Sequence, residues 1–376
     1  MPAPARHVYV HVPFCARRCA YCDFSIAVRT RVPVDEYVDA LERELAVRLG
    51  PPPAAPAPID TLYFGGGTPS RLGGEGVART VAVLGRWFAW DEAAEVTLEV
   101  NPDDVTPAAA RAWRAAGVTR ASLGSQTFDP AALAWMRRAH TAGQVEQAAA
   151  DLRAAGIDDL SLDLIFALPD AVARDWPADV CRALALAPAH LSLYGLTVEP
   201  GTPLGRWAAR GDLAEADEER YADEFLAAHR LLAAAGYEHY EVSNFARPGH
   251  RARHNAAYWR GVSYLGLGPS AHGFDGRRRR WNASAYAEWV RALAAGRDPM
   301  AGDEAIDAEA RMAEEVYLGL RTRDGLALTP GEIGRAARWV DAGWAELDDA
   351  RLRLTAAGWL RLDALAADLT SLRSRS

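Results

Sequence analysis

Short apolar runs rich in β-branched and aromatic residues recur through the first half of the chain, and a segment of helical character follows each of them. Tyr37, Leu41, Leu45 and Leu49, for example, recur at the spacing of one helix face. This alternation of strands and helices predicts an α/β fold, a parallel sheet with helical crossovers. The predicted strands are 7–12, 61–64, 96–100, 120–124, 160–166 and 190–196.

The alternation stops near residue 236, where aromatic-rich loops are predicted instead. The segment 312–369 has the pattern of two helices, a short strand, a turn and another helix, which resembles a small winged-helix unit. We therefore expect two domains, an α/β domain over 1–235 and a smaller α+β domain with a winged-helix-like end over 236–376. The proline-rich linker 51–58 lies within the first domain, because the strand and helix pattern resumes directly after it.

Acidic residues outnumber basic ones by 50 to 42, which gives the chain a formal charge of −8. This charge argues against a nucleic acid or an anionic lipid surface as partner. The one basic run, 277–280, is predicted to be a solvated turn and not a binding patch. No stretch approaches the roughly 20 apolar residues of a membrane span, and the N-terminus lacks the apolar segment of a signal peptide. We expect a cytoplasmic protein without a membrane span.

Three of the four cysteines, Cys15, Cys19 and Cys22, lie within eight residues at the spacing C-x3-C-x2-C. Three thiolates on one tight loop suit an iron–sulfur cluster and leave one iron without a protein ligand. The alternative is zinc, which needs a fourth ligand. His11 or Cys181 would have to supply it, and neither lies in a matching motif. Cys181 falls on an apolar helical pattern and is predicted to be a buried structural thiol.

Polar and glycine-rich segments follow the predicted strands, which is where parallel βα barrels carry their functional groups. The cysteine loop follows the first strand, and the glycine run 65–67 with Thr68 follows the second. This glycine run has neither the lysine of a phosphate-binding loop nor the spacing of a dinucleotide-binding fingerprint, so its alternative interpretation is a simple tight turn. The polar residues at the ends of the later strands are Glu99, Asn101, Gln126, Asp163 and Tyr194.

Taken together, these motifs resemble the radical S-adenosylmethionine (SAM) proteins, in the branch that contains the oxygen-independent coproporphyrinogen III oxidases. The resemblance rests on YVHVPFCARRCAYCDF, GGGTPS, LEVNPDD, SLGSQTFD, RRAH, LDLIFALP and SLYGLTVEPGTPL, and it extends along nearly the whole chain. It implies a partial (β/α)6 barrel in which Cys15, Cys19 and Cys22 hold a [4Fe–4S] cluster. The amino and carboxylate groups of SAM would chelate the fourth iron, and reduction would cleave SAM to a 5′-deoxyadenosyl radical.

The resemblance also implies which side chains contact SAM. Glu99 would bind the ribose hydroxyls, and Arg138 would pair with the carboxylate, with the adjacent Arg137 as the alternative. The full set of implied SAM contacts is Tyr9, Tyr21, Gly66, Gly67, Thr68, Glu99, Gln126, Arg138 and Asp163.

Two features resemble the heme chaperone group of this branch, HemW. The decarboxylases carry a fourth cysteine two residues after the third, where this chain has Phe24, and the segment HNAAYW resembles the HNxxYW motif of the chaperones. This resemblance implies heme binding, with His254 as a candidate axial ligand and Tyr258 and Trp259 against the macrocycle. Our main hypothesis is therefore a chaperone that transfers heme to an acceptor protein, without coproporphyrinogen III oxidase activity. A radical SAM coproporphyrinogen III oxidase and a zinc-stabilised binding module remain as alternatives.

Overall fold

The computed structural model describes residues 5–172 and 174–374. The strands in those residues are β1 His7–Val12, β2 Phe14–Cys15, β3 Ala27–Val28, β4 Ala57–Pro58, β5 Thr61–Gly66, β6 Phe88–Ala89, β7 Glu95–Val100, β8 Arg120–Gln126, β9 Asp159–Phe166, β10 His190–Gly195, β11 Glu238–Glu241, β12 Asn244–Ala246, β13 Leu265–Leu267, β14 His272–Phe274, β15 Arg278–Asn282, β16 Met300–Ala305, β17 Leu326–Ala327, β18 Ala345–Asp348 and β19 Arg351–Leu354. The α-helices are α1 Val34–Leu49, α2 Gly73–Leu84, α3 Pro107–Ala115, α4 Pro130–Trp135, α5 Ala142–Ala154, α6 Trp176–Ala185, α7 Pro203–Ala209, α8 Glu218–Ala234, α9 Arg253–Trp259, α10 Tyr286–Ala294, α11 Ala308–Arg321, α12 Pro330–Asp341, α13 Ala356–Trp359 and α14 Leu362–Arg373.

The main sheet has the strand order β11-β12-β10-β9-β8-β7-β5-β1-β13 in the described residues. Its central six strands are the six that the sequence predicts, and neighbouring strands among them are parallel. Helices connect successive strands, so the predicted α/β fold with a parallel sheet is confirmed. Parallel strands side by side bring their carboxyl ends to one edge, which is where the cysteine and glycine loops begin.

The central strands alternate between an apolar face and a polar face. In β1, Val8, Val10 and Val12 are buried in the main hydrophobic core, whereas Tyr9 and His11 contact polar side chains of the barrel interior. The same alternation continues in β5, β7, β8, β9 and β10. Because successive side chains of a strand point to opposite faces of the sheet, one set lies under the helices and the other lies inside the barrel.

Strands from the second half of the chain extend this sheet at both ends. Strand β13 pairs with β1 in parallel, and β12 pairs with β10 in antiparallel. The prediction of loops in this part of the sequence was wrong for β11, β12, α9 and β13, because these short elements have too few residues to show a periodicity. The boundary at residue 235 stays a prediction.

The last part of the chain contains α11, β17, α12, β18, β19, α13 and α14, with the small sheet order β17-β19-β18. The two helices, the strand at 351–354 and the final helix occur in the predicted order. The likeness to a winged helix stays a prediction.

Two expectations about single segments were wrong. Cys181 is exposed, because the buried face of α6 is formed by Trp176, Asp179, Val180 and Ala183, and Cys181 lies outside that spacing. The basic run 277–280 lies mostly on β15 and not in a turn, since the antiparallel strand β16 places carboxylates opposite its arginines. No helix in the part of the chain that the structure describes is long and apolar enough to span a membrane.

Candidate cofactor site

A cleft of about 380 Å³ opens at the carboxyl ends of the parallel strands. Of the residues that the sequence assigns to a cluster and to SAM, Tyr9 is not part of the cleft wall. The others line the cleft together: Cys15, Cys19, Tyr21, Cys22, Gly66, Gly67, Thr68, Glu99, Gln126, Arg138 and Asp163.

Backbone hydrogen bonds hold the cysteine loop in place. The Ala20 amide donates to the Met136 carbonyl over 3.1 Å, and the Leu204 amide donates to the Ala20 carbonyl over 3.0 Å. Burial raises the pKa of the Cys15 thiol, and it raises that of Cys22 to about 11. These two thiols are therefore protonated at neutral pH when free, and a metal that binds them must displace the protons.

The glycine run packs tightly against the cysteine loop. A Cβ atom on Gly66, whose φ is +112°, would lie 2.7–2.8 Å from the His11 ring. A Cβ atom on Gly67 would lie 2.7 Å from the Pro13 carbonyl and 3.0 Å from Cys15 Sγ. Side chains are excluded at both positions by this close approach. The absence of side chains at Gly66 and Gly67 thus allows the loop after β5 to approach the Cys15 thiol.

Glu99 projects from β7 into the cleft between two donors. The Tyr63 hydroxyl donates to Oε1 over 2.8 Å, and the Gly66 amide donates to Oε2 over 3.1 Å. Burial raises the pKa of Glu99 to about 7. Each carboxylate oxygen keeps a lone pair for a hydroxyl of a bound ligand.

The guanidinium of Arg138 lies in the cleft wall. Its Nη2 donates to Asn101 Oδ1 over 2.7 Å and to the Gly124 carbonyl over 2.8 Å, and its Nη1 lies 3.6 Å from Cys19 Sγ. Its Nε is buried without a partner among the described residues. Arg137 instead has its guanidinium over the Trp207 ring, 5.3 Å from the ring centroid. This geometry favours Arg138 as the partner of a ligand carboxylate.

Asp163 and Gln126 also line the cleft. Ser122 Oγ donates to both oxygens of Asp163, over 3.0 and 3.1 Å, and burial raises the pKa of this carboxyl group. The register shift between Leu123 and Gln126 in β8 leaves Gln126 with a φ of +66° at the strand end. This irregular strand end places the Gln126 side chain in the cleft wall.

Tyr9 lies one layer below the cleft, where its ring stacks on Tyr63 at a centroid distance of 6.1 Å. The structure adds Tyr63 and Ser122 as supporting residues, because they orient Glu99 and Asp163. Sequence reasoning missed both. The available signal was their position, since each is a polar residue that alternates with apolar neighbours inside a predicted strand.

The residues of the cleft fit a cluster and SAM. Three thiols lie in one cleft, beside an arginine with an unused donor and a carboxylate with free lone pairs. Within residues 5–172 and 174–374, no group of three His, Cys, Asp or Glu side chains is arranged to hold a single metal ion.

The three residues predicted to bind heme are not brought together on one surface. His254 is a buried residue of α9. Its Nδ1 lies 2.7 Å from Oγ1 of Thr61, the first residue of β5, and its Nε2 lies 2.8 Å from the Tyr258 hydroxyl. Burial lowers the pKa of His254 to about 3. Tyr258 and Trp259 line a second cavity, of about 820 Å³, which does not include His254.

Comparisons with known proteins show the family of this chain. The family model described as "Radical SAM superfamily" matches residues 9–180. The heme chaperone HemW of Mycobacterium tuberculosis (strain H37Rv) is 39% identical over 98% of this chain and 96% of its own length. The heme chaperone HemW of Escherichia coli K12 is 36% identical over 72% of this chain and 70% of its own length. The solved structure of coproporphyrinogen III oxidase HemN from Escherichia coli is similar in fold, with a TM-score of 0.80 and 23% identity over 97% of this chain and 90% of that one.

Proposed function

This chain belongs to the radical SAM superfamily and, within it, to the family of the heme chaperone HemW, and from this premise we propose that it binds heme and transfers it to an acceptor protein. The observation that carries the proposal is similarity to chaperones over almost the full length, combined with Phe24 at the mouth of the cleft. Phe24 stands two residues after Cys22, where the decarboxylases carry a fourth cysteine, and its side chain is 58% exposed.

In this proposal the cleft holds a [4Fe–4S] cluster on Cys15, Cys19 and Cys22. A bound cluster with SAM supplies one-electron reductive cleavage of the cofactor. Arg138 Nε would donate to the SAM carboxylate, a pairing that suits a planar guanidinium. Glu99 would accept hydrogen bonds from the ribose hydroxyls, held in place by Tyr63 and the Gly66 amide.

The cluster is tested by replacing Cys15, Cys19 and Cys22 together with alanine. After anaerobic reconstitution with iron and sulfide, wild type should hold about four iron and four sulfide per chain, and the triple variant should hold almost none. The variant should stay folded, because the loop lies at the strand ends and the main hydrophobic cluster contains none of the three cysteines. Cys181→Ala is the matched control and should keep the full cluster, since this thiol is exposed on α6. Stoichiometric zinc in anaerobically purified wild type would support the zinc-stabilised module instead.

Two assays on the same reconstituted sample distinguish the chaperone function from the decarboxylase function. Wild type should bind heme in a spectroscopic titration and pass it to apomyoglobin, a general heme acceptor. An anaerobic assay with coproporphyrinogen III, a reductant and SAM should give no vinyl product. Formation of protoporphyrinogen would favour the oxidase, which is the second candidate because the HemN structure shares this fold.

A further inference from the structure

The cavity of about 820 Å³ in the second half of the chain is separate from the cofactor cleft. It lies between α9, the strands β14 and β15, and the helices α11 and α14. Aromatic and aliphatic side chains dominate its wall, and no residue is shared with the cofactor cleft. The lining residues that the argument uses are Tyr258, Trp259, Tyr264, Phe274, Tyr317 and Ala367.

The two cavities differ in the ligand that they can take. The cleft of about 380 Å³ is lined by the three cysteines and by charged side chains such as Glu99 and Arg138. Ligand pockets for mid-sized organic molecules span roughly 300–1,000 Å³ and are lined mainly by apolar and aromatic side chains. The second cavity has this size and this lining, which suit a large, flat, apolar macrocycle.

Its aromatic wall is held in place by contacts within the wall and behind it. The Tyr258 and Tyr264 rings pack edge to face at 4.6 Å, and Tyr264 lies 6.4 Å from Phe274. Behind the wall, the Arg321 guanidinium lies 4.2 Å from the centroid of the Trp259 ring. Rings fixed in this way present a preformed apolar surface, so little ordering is needed when a flat ligand binds.

Heme iron also needs an axial ligand, and phenolate oxygen from tyrosine is one of the ligands that proteins use. The Tyr258 hydroxyl is hydrogen-bonded to His254, and the Tyr264 phenol lies beside the Arg279 guanidinium. Tyr317 on α11 is 37% exposed and has no hydrogen-bond partner among the described residues. Of the three phenols in the wall, Tyr317 is therefore the one free to meet a metal.

The charges of the wall indicate which part of heme would supply the affinity. Arg279 is paired with Glu304 and Glu314, and Asp363 adds a further carboxylate. The wall thus carries no surplus of positive charge for the propionates. Binding would depend on the apolar ring and on the iron, with the propionates left in solvent.

We propose that heme binds in this cavity between α9, α11 and α14, with the Tyr317 phenolate as axial ligand and with Tyr258 and Trp259 in the wall. The phenol proton goes to solvent as the iron–oxygen bond forms. This site rests on the proposed function, since it assumes that the protein binds heme. It assigns His254 a role inside the barrel and not at the iron.

The cavity is tested by filling it. Ala367 is exposed on α14 and lines the cavity, so Ala367→Trp places an indole in the space without disturbing the core. Ala364→Trp is the matched control, an exposed alanine on the same helix outside the lining. Hemin titration should give at least about tenfold weaker binding for Ala367→Trp than for Ala364→Trp, equivalent to about 1.4 kcal/mol. SAM affinity should be equal in both variants, which shows that both are folded.

The ligand is tested by Tyr317→Phe, which removes only one oxygen atom. Ferric heme bound to wild type should show a phenolate-to-iron charge-transfer band, and the variant should lose it. Equal hemin affinity of Ala367→Trp and Ala364→Trp would overturn the site while leaving the chaperone function in place. An unchanged spectrum in Tyr317→Phe, with a shifted Soret band in His254→Ala, would overturn Tyr317 and support His254. Absence of hemin binding by wild type would overturn the proposed function and this site with it.

Discussion

At the scale of single residues, the cofactor cleft depends on side chains that hold other side chains. Glu99 takes its position from Tyr63, and the Tyr63 ring is in turn stacked on His254 at a centroid distance of 5.0 Å. His254 therefore connects the HNAAYW segment to the carboxylate in the cleft through two contacts. Resemblance alone placed His254 at a heme, and only the three-dimensional structure reveals its contacts inside the barrel.

The raised pKa of Glu99 predicts that SAM affinity depends on pH. Its value of about 7 means that the carboxyl group takes up a proton when the pH falls through neutrality. Protonation removes an acceptor that a ribose hydroxyl would use, so wild-type affinity should fall as the pH drops from about 8 to about 6. Glu99→Gln should bind SAM more weakly and should lose this pH dependence. Calorimetry on the reconstituted protein at each pH measures both effects.

The hydrogen bonds expected between Glu99 and the ribose predict how much SAM affinity is lost when this carboxylate is removed. Glu99→Ala should weaken SAM binding by about 1.5–3 kcal/mol, as is typical of hydrogen bonds to a charged group. Iron content should not change, because Glu99 is not a cluster ligand. Glu92→Ala removes an exposed carboxylate three residues before β7 begins and should bind SAM like wild type. Equal SAM affinity in Glu99→Ala and Glu92→Ala would place the ribose elsewhere.

At the scale of elements, helix α9 shows what the sequence pattern could not predict. The six parallel strands were predictable because each is a local run of apolar residues followed by a helical segment. Helix α9 has only seven residues, and its position depends on a contact with Glu95 at the start of β7. The Arg253 and His254 amides donate to Glu95 Oε2 and Oε1 over 2.7 and 2.9 Å. No sequence pattern indicates a contact between residues so far apart along the chain.

This contact predicts that Glu95 stabilises the attachment of α9 to the barrel. Glu95 is buried, and its carboxylate satisfies two amides of the first helical turn that lack partners within the helix. Glu95→Ala should lower the free energy of unfolding by about 1.5–3 kcal/mol, because it leaves these buried donors unsatisfied. Urea denaturation followed by circular dichroism measures the loss.

Glu92→Ala serves as the control for stability as well, since it removes an exposed carboxylate from the same loop. Its free energy of unfolding should stay within about 0.5 kcal/mol of wild type. If Glu95→Ala were as stable as Glu92→Ala, the helix would not depend on this carboxylate for its attachment.

At the scale of the whole molecule, the two parts of the sequence share one sheet. Strand β13 covers the edge of β1, and β12 covers the edge of β10. The change of pattern near residue 236 is visible in the sequence, but the return of later strands to the edges of the first sheet is not. The aromatic cavity is hidden from sequence reasoning for the same reason, since its lining extends from Tyr258 to Ser371.

The shared sheet predicts that a fragment of residues 1–235 does not fold on its own. Without the rest of the chain, β1 and β10 become open edges, which promote association between molecules. Three buried groups also lose partners: Glu95 loses two amides, Thr61 loses His254, and His190 loses the Tyr240 hydroxyl at 2.8 Å. The fragment should aggregate on size-exclusion chromatography and should not retain a reconstituted cluster.

A longer fragment, 1–306, separates the effect of these contacts from the effect of truncation. It keeps β11, β12, α9 and β13, and with them both edge pairings and all three buried partners. It loses Arg321, the partner of the buried Glu241. It should nevertheless aggregate less than 1–235 and retain iron, because the cleft is built entirely from residues before 200. It lacks α11 and α14, so it should not bind hemin at the proposed site. A monodisperse 1–235 fragment that holds a cluster would instead confirm the boundary that the sequence pattern predicts. It would also show that the barrel folds without the later strands.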